Sequence, residues 1–309
     1  MYRQPTTAVR VVFLLLVAPV TSVTSVTSVT SGASAETIEV PGDFPTIQGA
    51  IESAEAGDVV QVAAGLFPIR SAIDPMGKAI EIRGTSNSEG RPITRIDGGS
   101  TTRVLDVGTL ETNATVFRDL VFENGGVTSF GSVVRITNAS PVFETCEFRG
   151  GYAIYKAGGI LTRQNAAPIF RDCLFAENQS EIAGGAIFAD DSSSLTLEGC
   201  EIRDNLAESG AGIYINGSAT ARIQDSNVCD NDTPQVDGVF EDLGGNTISD
   251  TCGCDGDLDG DGIVSGVDLG VFFSFWGPCP APCLADRNND GVVNGTDLGA
   301  FFALWGPCP

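Results

Sequence analysis

Three cysteines, Cys146, Cys173 and Cys200, recur at intervals of 27 and 27 residues, each in the same apolar setting. Three positions before each stands Phe143, Phe170 or Leu197, and two positions after each stands Phe148, Phe175 or Ile202. An earlier copy reads Phe117, Leu120, Phe122 and a later one Ile223, Ser226, Val228. Asn178, Asn205 and Asn231 repeat five residues after the cysteine position, and Gly158-Gly159, Gly184-Gly185 and Gly210-Ala211-Gly212 mark a glycine-rich segment per period. A period this long, with short alternating apolar runs and no long helix, folds by stacking. Each period becomes one coil of short strands, and coils about 4.8 Å apart bury together a face that none buries alone. Equivalent residues then form ladders: Phe, Leu and Ile inward, Asn at a turn where its amide serves backbone groups. The cysteines read as small apolar fillers of the interior. A disulfide between neighbouring coils would still leave one of the three unpaired.

The preceding stretch fits the same plan. Ile47, Ala50, Ile51 and Ala54 share one helical face, and Pro45 suits a first turn. Such a helix would plug the open end of the stack. Short strands are expected at Val59–Val62, Ala79–Ile82 and Val104–Val107.

Val40-Pro41-Gly42-Asp43-Phe44-Pro45-Thr46-Ile47-Gln48, then Ala50-Ile51 and Gly57-Asp58, resembles the opening of pectin-lyase-like right-handed parallel β-helix proteins. Gly65, Gly77-Lys78-Ala79-Ile80 and Ile96-Asp97-Gly98 continue that pattern. Phe175-Ala176-Glu177-Asn178 and Gly184-Gly185-Ala186-Ile187 resemble the short repeats of polymorphic outer-membrane β-helix proteins. The resemblance supplies the right hand of the coil. It implies a fold that hosts lyases, hydrolases, esterases and adhesins alike.

Catalytic motifs are sparse. Histidine is absent, so no imidazole base, Ser-His or Cys-His nucleophile exists. Asp190-Asp191 is the one acidic pair in the repeats that resembles a carboxylate cluster, and the three serines that follow it equally suit a corner turn. Lys156 and Arg163, one short strand apart, could form a basic spot for a uronate or simply a solvated face. Asp190, Asp191, Lys156 and Arg163 are the weak catalytic candidates.

From Cys254 a second repeat begins, with a period of 29: Asp257, Asp259, Asp261, Gly262, Asp268, Phe272, Trp276 and Cys279 return as Asp286, Asn288, Asp290, Gly291, Asp297, Phe301, Trp305 and Cys308. A twelve-residue calcium loop takes oxygens from positions 1, 3, 5, 7, 9 and 12 and needs glycine at position 6. The first loop offers Asp257, Asp259, Asp261, the Ile263 carbonyl, Ser265 and Asp268; the second offers Asp286, Asn288, Asp290, the Val292 carbonyl, Asn294 and Asp297. Two Ca2+ sites are expected, the first tighter because it has one more carboxylate. An acidic glycine-rich linker would not place these positions in duplicate. A calcium loop plus a short helix, duplicated, with Asp at position 12, resembles a type I dockerin. That implies a cohesin-like or cell-envelope docking partner, although Gly266-Val267 and Gly295-Thr296 stand at partner-reading positions 10 and 11.

The N-terminus reads as a signal peptide: Arg3 and Arg10, an apolar run Val11–Val20 too short to span a bilayer, and Ala33-Ser34-Ala35 as cleavage site. Lys+Arg number 17 and Asp+Glu 40, for −23; without Arg3 and Arg10 this becomes 15 − 40 = −25. Such a charge disfavours nucleic acid and anionic lipid. Export makes disulfides available to the nine cysteines. Cys254–Cys279 and Cys283–Cys308 would each close one repeat, Cys254 with Cys308 is the alternative, and Cys229 with Cys252 would staple the last coil.

The sequence therefore predicts a signal peptide over 1–35, an all-β right-handed parallel β-helix over 36–250, and a small α dockerin-like, EF-hand-like calcium domain over 251–309. Its expected role is a secreted or cell-surface protein, without a membrane span after signal removal, that binds carbohydrate without catalysis and is attached through its C-terminal module. The alternative is a polysaccharide-degrading enzyme: a polysaccharide lyase, an O-glycosyl hydrolase or an esterase.

Overall fold

The computed structural model describes residues 35–127, 130–232, 234–253, 256–259, 263–279, 283–288 and 290–307. The signal peptide expected over 1–35 lies, apart from Ala35, outside them. Residues from Thr37 to Ile248 form a solenoid of three parallel sheets. Sheet 1 has nine strands, from Thr37–Val40 through Val142–Glu144 and Ile169–Arg171 to Phe240–Asp242. Sheet 2 has eight, including Leu120–Glu123, Glu147–Arg149 and Leu174–Ala176, and sheet 3 has six, including Val134–Thr137, Ile160–Arg163 and Ile187–Ala189. A smaller fourth sheet stacks Gly126–Val127, Tyr152–Ala153 and Gln179–Ser180. Every pairing in these sheets is parallel and joins one coil to the next, as in Phe143 opposite Phe170 and Phe148 opposite Phe175.

Why the chain coils so regularly is visible inside. Phe117, Phe143 and Phe170 stack face to face at 4.8 and 5.0 Å, and Phe122, Phe148 and Phe175 at 5.4 and 5.0 Å. The two columns meet edge to face, so each ring gains aromatic contacts beyond the area it buries. Cys146, Cys173 and Cys200 are all free and buried between these columns, each Sγ within 3.5–3.6 Å of a carbonyl of the preceding coil. No cysteine of this ladder is cross-linked. Where sheet 1 turns into sheet 2, Asp119, Thr145, Asp172 and Asp225 all take positive φ between 48° and 55°, the left-handed corner that lets three strands share one short coil.

Helix α1, Ile47–Ser53, closes the first coil with Ile47, Ala50 and Ile51 buried. Its N-cap is Thr46, whose Oγ1 accepts from Gly49 N at 3.1 Å. Pro45 therefore precedes the cap and is not part of the first turn. Lys78 Nζ donates to the carbonyls of Ile51, Glu52 and Ala54 at 2.7–2.8 Å, satisfying the helix end that would otherwise face the stack unpaired. The strand expected at Ala79–Ile82 begins later, at Glu81–Arg83.

Cys229 and Cys252 are disulfide-bonded beside the last coils. Beyond them, helices α2, Gly266–Ser274, and α3, Gly295–Phe302, each follow one acidic loop. The two repeats interlock. Ile263–Val264 of the first pairs with Gly306–Pro307 at the end of the second, and Val292–Val293 of the second pairs with Gly277–Pro278 at the end of the first. Phe272 and Phe301 meet at 5.1 Å in a separate small core. Cys279 bonds to Cys283. The expected Cys254–Cys279 and Cys283–Cys308 pairs are thereby excluded: Cys279 ends the first repeat and Cys283 opens the second, a sequence separation of 4 that a short loop closes. The alternative pair, Cys254 with Cys308, lies outside the described residues. Among the described residues no helix is long and apolar enough to cross a membrane.

Candidate functional site

The duplicated acidic loops are built around the last acid of each. Ser265 caps α2, its side chain accepting from Val267 N at 3.1 Å. Asp268, three residues on, is fully buried; its Oδ1 accepts from Leu258 N and Asp259 N, and its Oδ2 from Ser265 N at 2.8 Å. Burial pushes this carboxyl up, but those backbone donors outweigh it and hold the pKa below the usual carboxylate value. One side chain thus ties both ends of the loop to the helix. Carboxylate oxygens of Asp257, Asp259 and Asp268 lie within 4.8 Å of one another. Asp261 and Gly262 lie outside the described residues.

The second loop repeats the design. Asn294 caps α3 by accepting from Thr296 N at 2.8 Å, and Asp297 accepts from Arg287 N, Asn288 N and Asn294 N. Asp286 accepts from Asp290 N and Gly291 N, Asn288 from Asp290 N, and Asp290 from Val292 N. These bonds close the loop back on itself, with Gly291 at φ 84°, a conformation side chains rarely adopt. The Val292 carbonyl accepts from Asn294 Nδ2 at 3.1 Å, and Ser265 and Asn294 have their side-chain oxygens engaged as helix caps. The residues fit hard-cation chemistry: the donor set is all oxygen, and in the first loop three carboxylates converge.

On the outer side of α2 and α3, Phe273 with Trp276 and Phe302 with Trp305 form two equivalent exposed aromatic pairs, at 5.5 and 5.7 Å.

The weak catalytic candidates gather along sheet 3 without forming an acid–base pair. Asp190 follows strand Ile187–Ala189 and accepts from Asn216 Nδ2 at 2.7 Å. Asp191 sits in the next turn with φ 47°, so its backbone makes the corner. Lys156 Nζ lies 4.6 Å over the Phe188 ring. Arg163 ends its strand opposite Thr137. Residues that sequence reading passed over lie beside them: Arg103 and Arg135 share the single carboxylate Asp106. Their alignment was hidden because the register along sheet 3, through Leu105, Val134, Ile160, Ile187 and Ile213, advances by 29, 26, 27 and 26 residues.

A cleft of about 270 Å³ lies on sheet 2 beside the turn Gly90-Arg91-Pro92 and is lined by Glu147, Glu201 and Arg203. Burial pushes the Glu147 carboxyl up, against the opposing pull of Arg149.

A family model described as "Right handed beta helix region" matches residues 77–257, more than half of the chain. No curated protein sequence matches it. Solved structures similar to it include the pectin methylesterase from Aspergillus niger, at 14% identity over 74% of this chain and 89% of that one, with a TM-score of 0.37. The pectin methylesterase from carrot is 14% identical over 73% of this chain and 91% of that one, with a TM-score of 0.34. The match of the family model and the coil-to-coil parallel pairing agree: this chain belongs to the right-handed β-helix family.

Proposed function

We propose that this chain is an exported β-helix protein that binds a polysaccharide along its solenoid and is attached through a C-terminal, dockerin-like module folded around two calcium ions. The observation that carries the calcium part is the convergence of Asp257, Asp259 and Asp268 within 4.8 Å. Three carboxylates that close repel one another, and a divalent cation turns that repulsion into binding. In the first loop Asp257, Asp259, Asp261 and Asp268 would supply side-chain oxygens and Ile263 its carbonyl, with Ser265 at position 9. In the second, Asp286, Asn288, Asp290 and Asp297 would do so, with the Val292 carbonyl and Asn294. The two exposed aromatic pairs of α2 and α3 support attachment to a cohesin-like or cell-envelope partner, because aromatic side chains dominate docking energetics. The Cys229–Cys252 disulfide supports an oxidising compartment.

Calcium titration of the protein, followed by calorimetry and by the fluorescence of Trp276 and Trp305, tests this reading; both tryptophans of the chain lie in the module. Two calcium ions per chain are expected, with Asp268→Ala and Asp297→Ala each removing one and Asp257→Ala costing more affinity than Asp286→Ala. A chain that binds no calcium at millimolar concentration would overturn it. The second reading, a polysaccharide lyase, glycoside hydrolase or esterase, is favoured by the raised Glu147 carboxyl in a cleft that the acid Glu201 also lines. Shortening of any polymer in a panel of acidic and neutral polysaccharides, lost in Glu147→Gln, would establish it.

A further inference from the structure

The Cys279–Cys283 disulfide stands at the mouth of the second acidic loop. Cys283 lies three residues before Asp286, the first oxygen-bearing side chain of that loop, and its carbonyl accepts from Asp286 N at 3.2 Å. Cys279 reaches the middle of the same loop: its N–H donates to the Gly291 carbonyl at 2.9 Å. That bond continues the pairing of Gly277–Pro278 with Val292–Val293. Asp286 closes the figure, because its Oδ2 accepts from Gly291 N at 2.7 Å. The front half of the loop is thus held in a ring. Hydrogen bonds run from Cys283 to Asp286, on to Gly291 and on to Cys279, and the covalent bond returns to Cys283.

The second loop depends on such a fastening more than the first. Asn288 stands where the first loop has Asp259, so three carboxylates, Asp286, Asp290 and Asp297, are available to a cation instead of four. With less charge to draw the ion in, affinity rests more on how few arrangements the empty loop can take. A covalent link between the tail of one repeat and the loop of the next removes arrangements before the ion arrives. Cys279 is buried in the small core of Phe272 and Phe301, whereas Cys283 is half-buried and so open to a small thiol.

We propose that the Cys279–Cys283 bond is a redox control on the second calcium site: the oxidised module binds its second ion tightly, and reduction weakens that site while sparing the first. The proposal rests on the calcium reading of the module and adds its regulation. Reduction takes two electrons from a dithiol. A thiolate of the dithiol attacks one sulfur of the bond to give a mixed disulfide, and its second thiol then displaces the cysteine. The products are two cysteine thiols, which take up the two protons, and the cyclic disulfide of the reductant. Formation of the bond belongs to an oxidising compartment. Helix α3, with Phe302 and Trp305 exposed on it, is capped by Asn294 of this loop, so the docking face is completed only after export.

Calorimetric calcium titration of the full chain tests it. Wild type should show two sites, and Cys279→Ser/Cys283→Ser should lower the affinity of one tenfold or more and of the other less than twofold. In Asp286→Asn, where only the first site remains, the same two serines should change nothing. Removing the other disulfide by Cys229→Ser/Cys252→Ser should leave both sites as they are. Linkage supplies a check on the unmutated chain: what calcium gains from the bond, the bond gains from calcium. Saturating calcium should therefore shift the dithiol equilibrium of Cys279 and Cys283, read by alkylation and peptide mass, tenfold or more toward the disulfide. Equal affinities in wild type and the serine variant, with no shift of that equilibrium, would overturn the redox control and leave two calcium sites standing. An equal loss at both sites would overturn it as well, since the bond would then support the whole module. A wild-type chain that binds no calcium would overturn the calcium reading itself.

Discussion

The side-chain carbonyl of Asn205 accepts two hydrogen bonds from Asn178 in the neighbouring coil, one from its backbone N–H and one from its amide, each 3.0 Å long. Asn231 does the same for Asn205, and Gln235 ends the series by accepting from Asn231. The amide of Asn205 also reaches the Phe175 carbonyl at 2.9 Å. All three asparagines are buried, so this column stands where solvent cannot replace it.

Asn205→Ala leaves the Asn178 N–H without its acceptor inside the solenoid and takes one of the two acceptors of the Asn178 amide. The expected loss is about 3 kcal/mol, from about 1–3 kcal/mol for each abandoned group. Guanidinium unfolding measures it, and a loss below about 1 kcal/mol would show that the ladder follows the fold and does not hold it.

Cys173 couples the interior to alkaline pH. Burial, with the thiols of Cys146 and Cys200 beside it, pushes the Cys173 thiol well above 9.0. A group raised on folding gives its full contribution below the unfolded value and loses it as pH climbs toward the folded one. Stability is therefore expected to fall above pH 9.0, and Cys173→Ala should flatten that fall while costing about 1 kcal/mol at pH 7 through the lost volume. Denaturation curves at pH 7, 9 and 10 compare the two; parallel curves would contradict the assignment.

Glu147 supplies the acid-side counterpart. Its carboxyl is raised above 4.5 by burial, the nearby Glu123 adding to this, while Arg149, Arg91 and Arg203 pull the other way. Folding favours the neutral form, so its contribution is complete below pH 4.5 and fades as pH rises through the folded value. Glu147→Gln, which keeps the shape without the charge, should melt higher than wild type at pH 7 and lose that advantage below pH 4.5. A variant that melts lower at pH 7 than wild type would show that the Arg149 pairing wins over burial.

Reduction tests the staple at the end of the stack. Cys229 and Cys252 enclose a separation of 23 residues, a loop whose closure is worth about 3 kcal/mol. With the bond reduced, amides of Val228 and Ile248 should exchange with solvent well before those of Phe148 and Phe175. Uniform exchange along the solenoid would mean that the last coils hold without it.

The first layer of organisation was legible residue by residue. Phe143, Phe170 and Leu197 recur with Cys146, Cys173 and Cys200, and each takes the same place in successive coils. Asn178, Asn205 and Asn231 likewise become the turn column that their spacing implied. A stack of coils turns sequence period directly into spatial neighbourhood, so a residue and its equivalent one period later must touch. The duplication of Asp257 and Asp268 as Asp286 and Asp297 was equally plain, because the residues of one loop are close in sequence.

What the linear chain withheld depends on contacts that no period encodes. Thr137 and Arg163 face each other because one coil of sheet 3 is a residue shorter than the 27-residue cysteine interval, which shifts the register of outward side chains. Cys279 meets Cys283 across the short link between the two C-terminal repeats, which pair strands with each other, and reading each repeat as a closed unit put the bonds elsewhere. Interior positions of a solenoid are dictated by apolar periodicity, which the sequence by itself determines. Its outer charges and the pairing between repeats are set by coil lengths and strand exchange, which only the assembled structure decides, because an exposed arginine costs the chain almost the same energy in any register.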